Sequence, residues 1–118
     1  MSTRDFRITV RGVFDGLDEA QRAELLARAA EHDVLQAAFT PEGHMSYDIA
    51  ARTAFTFRFA DTGEAEEDIL TATARAEAAA ETWLTGRGYG FKNLRSQAED
   101  LSVAALGKRR RREAARGI

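Results

Sequence analysis

Residues Phe55-Thr56-Phe57-Arg58-Phe59 set three phenylalanines in strict alternation with a hydroxyl and a guanidinium. A period of two marks a strand half buried in a sheet. One face of such a strand is wholly aromatic, so the other elements must cover it. The opposite face, with Thr56 and Arg58, is left for solvent, a partner or a ligand.

Its neighbours follow from the same periodicity. Phe6, Ile8 and Val10 alternate with Arg7, Thr9 and Arg11, a first strand with one apolar and one basic face. Asp15-Gly16-Leu17 ends it. Asp18 and Gln21 have capping-box spacing, which predicts a helix with Ala23, Leu26, Ala27 and Ala30 as its stripe, ending near His32-Asp33. Residues 34–40 read as a strand with Leu35, Ala37 and Phe39 on one side, and Pro41-Glu42-Gly43 as a turn. Met45, Tyr47 and Ile49 alternate with Ser46 and Asp48 in a further strand, and Ala51-Arg52-Thr53 links it to the aromatic one.

A second helix is expected over residues 64–85. Glu64, Glu66, Glu67 and Asp68 suit the positive end of its dipole. Ala65, Ile69, Ala72, Ala76, Ala80 and Trp83 form its apolar stripe. Gly86, Gly88 and Gly90 stop it, and a last strand runs over about residues 91–101. The order predicts an α+β, ferredoxin-like sandwich: an antiparallel sheet of four or five strands with two helices on one face. The expected core is Phe6, Ile8, Val10, Leu26 and the three strand phenylalanines, closed by Ile69 and Trp83.

Composition narrows the chemistry. The 118 residues make one domain, expected over 1–106, with 107–118 as a basic tail. The tail holds six of the 17 basic residues and one of the 19 acids, which leaves a body of 11 basic and 18 acidic residues, net −7. There is no cysteine, so disulfides and thiolate chemistry are excluded. The first residues lack a signal-peptide pattern and no apolar run is membrane-length, so a cytoplasmic protein without membrane contact is expected. Neighbouring acids on a helix diverge, so the Glu64–Asp68 cluster predicts no metal site, and no cofactor is expected.

The sheet's uncovered face is the main candidate site. It should carry Arg7, Thr9, Arg11, Thr56 and Arg58. Like charges across a sheet repel by up to about 1 kcal/mol per pair, so something should offset them. The leading expectation is an accessory or binding domain, homodimeric, that recognises a partner or small organic ligand through this face. A second class is a small enzyme in which His44, beside Glu42, or Tyr47 acts in a sheet-side pocket. A third is weak, salt-sensitive nucleic-acid binding by residues 108–112, disfavoured because no aromatic platform is interleaved there.

Arg11-Gly12-Val13-Phe14-Asp15-Gly16-Leu17, Phe39-Thr40-Pro41-Glu42-Gly43-His44 and Arg87-Gly88-Tyr89-Gly90-Phe91-Lys92-Asn93-Leu94 resemble segments of a family of small uncharacterised bacterial proteins, ferredoxin-like and of unknown function. The resemblance stops short of the basic tail and implies a compact cytoplasmic domain with no assigned reaction. Arg11-Gly12-Val13-Phe14 also resembles part of the phosphate loop of acylphosphatase, but Asp15 stands where that family has an arginine, and an acid there would repel the substrate.

Overall fold

A computed structural model describes residues 3–102. Its four strands are β1 (Arg4–Phe14), β2 (His44–Tyr47), β3 (Ala54–Gly63) and β4 (Phe91–Asp100), and its helices are α1 (Glu19–Ala27) and α2 (Asp68–Gly86). The sheet is antiparallel throughout, in the order β2-β3-β1-β4.

The aromatic face forms the core as the alternation requires. Phe55, Phe57 and Phe59 are buried with Phe6, Ile8 and Val10 of the adjacent β1. Ala72, Ala76, Ala80 and Leu84 bring α2 against them. The small alanines let the helix lie close, so the phenylalanines fill the space between the layers. Phe57 meets Phe55, Phe59 and Trp83 edge-on or stacked, with ring centroids 5.6 to 6.2 Å apart.

The capping box at α1 forms as its spacing predicts. The Gln21 amide donates to Asp18 Oδ1 at 2.7 Å, and the Asp18 amide donates to Gln21 Oε1 at 3.1 Å. α2 starts four residues later than expected. The Asp68 carboxylate accepts from the amides of Ala65 and Glu64, which closes a turn ahead of the helix and holds its own pKa below the usual range.

Two expectations fail. Residues 34–40 form no strand. Asp33 accepts the Leu35 amide at 2.9 Å and caps a 3₁₀ turn at Val34–Gln36, a local hydrogen bond that competes with sheet pairing. Of this stretch only Thr40 pairs with the sheet, as an isolated parallel bridge to Phe59. The sheet therefore has four strands. Leu26 is 47 % exposed and Leu25 is the buried residue of α1. The helix ends at Ala27, and a 3₁₀ turn at Ala29–His32 follows, so the stripe extrapolated to Ala30 does not persist.

The expected boundary at residue 107 and the basic tail lie outside the described residues. Among the described residues, no helix is long and apolar enough to cross a membrane.

Candidate functional site

The strand register fixes which residues share the uncovered face. Arg7, Thr9 and Arg11 alternate with the buried residues of β1, and Thr56 and Arg58 with those of β3. Thr9 pairs with Arg58, and Arg11 pairs with Thr56. On the other side of β1, Arg11 faces Arg95, and Arg7 faces Glu99. The five sequence-predicted residues thus do lie on one face, and Arg95 joins them.

Within this face lies an open hollow of about 800 Å³. Arg11, Arg52, Arg58 and Arg95 line it, with Asp48 as the one acid. Thr56, Ser46 and Asn93 add polar groups, while Val13, Val34 and Ala54 are apolar. The Arg58 guanidinium donates to Ser46 Oγ at 2.7 Å, and Ser46 is only 2 % exposed although it lies on this face. Arg7 stands apart from the hollow, its guanidinium 5.1 Å from the centre of the Phe39 ring. Val34 and Phe39 both reach this side of the sheet. The stretch expected as a strand therefore wraps onto the uncovered face.

A bulge shapes one wall. Arg11 pairs with Arg95 but Val13 pairs with Lys92, so Asn93 and Leu94 together oppose Gly12. A side chain at Gly12 would lie 2.6 Å from the Phe55 ring and 3.2 Å from Leu94, so this close approach requires glycine. Asn93 takes up the irregularity with φ +57°, a left-handed conformation that Asn tolerates better than most residues.

Tyr47 and His44 sit differently from the arginines. Tyr47 borders the hollow, but its side chain is part of the buried cluster and its hydroxyl donates to the Leu25 carbonyl at 2.6 Å. Burial, with help from Tyr89 and Glu31, pushes its pKa from 10.0 up to about 12. A phenol so placed holds its proton at neutral pH and cannot serve as a base on the open face. His44 pairs with Arg58 in register and lines a small separate cavity of about 140 Å³ with Glu42, His32 and Trp83. Its Nδ1 is buried without a hydrogen-bond partner among the described residues. His32 is held by stacking on Tyr47 at 5.0 Å, while its Nδ1 donates to the Met45 carbonyl at 2.8 Å. No group of three or more metal-ligating side chains converges among the described residues.

The stretch that resembled a phosphate loop is no loop. Arg11 to Phe14 lie within β1, and Phe14 is buried against Phe55 and Tyr89. Asp15, just beyond, has Lys92 Nζ at 3.8 Å.

Sequence reasoning missed Arg52 and Arg95. Arg52 sits in the β2–β3 link, where no periodicity assigns a face. Arg95 is in a strand of poor alternation, and its position opposite Arg11 depends on the β1–β4 register. The run Arg95, Gln97, Glu99 was the available signal.

These features define a small α+β protein with an arginine-lined hollow on the uncovered face of an open antiparallel sheet. The chain belongs to DUF6204, a family of unknown function whose model matches residues 1–112. The match runs into the basic stretch at 108–112, further than the resemblance in the sequence reached. No curated protein and no solved structure matches the chain.

Proposed function

We propose that this chain is a non-catalytic binding domain, working as a cytoplasmic homodimer, that recognises a small organic acid or an acidic partner through its open sheet face. The observation that carries the reading is the hollow with four arginines and one aspartate. Concave sites with a few convergent polar groups are the usual places for small ligands. A guanidinium offers a planar fork of donors that fits carboxylate or phosphate in a bidentate way. The proposal includes the ferredoxin-like arrangement, supported by the element order and the strand order β2-β3-β1-β4. Such a fold supplies a rigid platform but no chemistry of its own, so the argument rests on the site.

What weighs against the enzymatic alternative is that Tyr47 is buried and its hydroxyl donates to the Leu25 carbonyl. A thermal-shift screen at fixed ionic strength, with organic acids and organic amines as matched sets, tests the proposal. Acids should raise the melting temperature in a saturable way and amines should not. Equal response to both sets, or none to the acids, overturns it.

A further inference from the structure

The hollow is not charged evenly. At its β2 end, Arg58 is tied to Ser46, and Arg52 stands beside Asp48, whose carbonyl accepts the Arg52 amide at 2.9 Å. A carboxylate lies within that end. At the β4 end, Arg11 and Arg95 leave the sheet from directly paired positions. Both are exposed, and neither forms a hydrogen bond or ion pair with another described residue. Two unpaired guanidiniums side by side on rigid strands repel each other until an anion comes between them.

The backbone at this end is irregular as well. The bulge places Asn93 in the left-handed region two residues before Arg95, and Asn93 lines the hollow. Bulges re-aim side chains and gather near binding sites. A non-glycine residue held in such a conformation points to a local demand that the rest of the fold sustains.

We propose that the hollow takes a small organic acid whose anionic terminus, a carboxylate or a phosphate, seats between Arg11 and Arg95. Its body lies over Val13 and Thr56 toward Arg58. The inference rests on the open face being the ligand face and adds where, and by which end, the ligand is held. Strands lie about 4.8 Å apart, so two spacings from Arg11 to Ser46 give the ligand a span of roughly 10 Å. That is the size of an aromatic or sugar acid rather than of a bare inorganic anion. Because both arginines can act as bidentate forks, the charge and the geometry of the terminus are read together.

The test uses the full chain and three probes, phenyl phosphate, benzoate and inorganic phosphate, at constant ionic strength. Binding is followed through the arginine side-chain Nε–Hε resonances. At least one organic probe should bind saturably and more tightly than inorganic phosphate, with the Arg11 and Arg95 signals moving most. Comparison of phenyl phosphate with benzoate distinguishes the two termini. Arg95→Gln should weaken binding on the order of tenfold, and Arg95→Lys, which keeps the charge and loses the fork, should weaken it measurably. Arg7→Gln, on the same face outside the hollow, should leave it unchanged. Equal weakening by Arg7→Gln means diffuse charge and overturns the site, as does tighter binding of inorganic phosphate. Saturable binding lost in Arg58→Gln but kept in Arg95→Gln overturns the placement and leaves the open face as the ligand face. No saturable binding of any probe, with a dimer that weakens in Arg95→Gln, gives the arginine pair to a second copy and removes the inference.

Discussion

Arg11 stands directly opposite Arg95 across the β1–β4 pairing, so two guanidinium stems leave the same face of the sheet side by side. Like charges so paired destabilise a sheet by up to about 1 kcal/mol. Without a ligand, Arg95→Gln should therefore stabilise the protein by a few tenths to about 1 kcal/mol. Urea denaturation at low and high salt checks this. The gain should shrink at high salt, where the repulsion is already screened. A loss of stability would show that Arg95 is held by a favourable contact.

Phe57 is the hub of the aromatic layer, touching Phe55, Phe59 and Trp83. Phe57→Ala should cost about 3–5 kcal/mol, through lost burial and the cavity left behind. Chemical denaturation followed by Trp83 fluorescence measures it. A loss under about 1 kcal/mol would mean the site can collapse, which contradicts a close-packed core.

Tyr47 makes a prediction about pH. Its pKa is 10.0 when free and about 12 in the fold. Below pH 10 the phenol is neutral in both states, and its contribution is constant. Between pH 10 and about 12 the unfolded chain loses the proton while the folded one keeps it, so stability falls as pH rises. Tyr89, also raised by burial, adds to the same flank. Tyr47→Phe should flatten that flank in part. It should also cost about 1–3 kcal/mol at neutral pH, because the Leu25 carbonyl loses its donor.

The aromatic strand, the first strand, the capping box and the alanine stripe of α2 were legible in the sequence because each is a local pattern that burial directly rewards. The segment after His32 was not. Its alternation of Leu35, Ala37 and Phe39 imitates a strand, but Asp33 diverts the backbone into a 3₁₀ turn, and Leu35 ends 88 % exposed. Leu26 and Leu25 show the related limit. Which leucine faces inward depends on where a nine-residue helix stops, and the sequence marks its start far better than its end. The arginine face was half legible. Arg7, Arg11 and Arg58 follow from alternation alone, whereas Arg95 requires the β1–β4 register and Arg52 the path of a link.

Gly43 carries a prediction that depends on that hidden path. It sits at φ +89°, and an added Cβ would collide with the Phe59 ring. Gly43→Ala should destabilise by more than about 1 kcal/mol, through backbone strain and the displaced ring. It should also loosen the neighbouring contact of Thr40 with Phe59, where the Ala60 amide donates to the Thr40 carbonyl at 2.8 Å. Faster hydrogen exchange at Ala60 is the specific readout, and an unchanged rate would contradict it.

The proposed homodimer gives the last prediction, with two modes that salt separates. Pairing through the open face buries arginines, and each must then find an acid or a carbonyl, since an unpaired buried charge is costly. Asp48 in the hollow, Glu99 opposite Arg7, and Asp5 two residues before Arg7 on β1 are acids of this face. Asp100 already bridges Arg4 at 2.8 Å. The other mode joins edge strands. β2, with four residues, is a poor edge for this, and its Met45 carbonyl already accepts from His32. β4 runs for ten residues and, among the described residues, pairs only with β1. Its free edge is the better template for a second copy. Sedimentation at micromolar concentration should therefore give twice the 13.0 kDa mass of the chain. An ionic face-to-face dimer should dissociate as salt rises and tighten in its absence, whereas a β4–β4 dimer should be nearly indifferent to salt. A single species of 13.0 kDa across that range removes the dimer and leaves the arginine hollow open to solvent on a monomer.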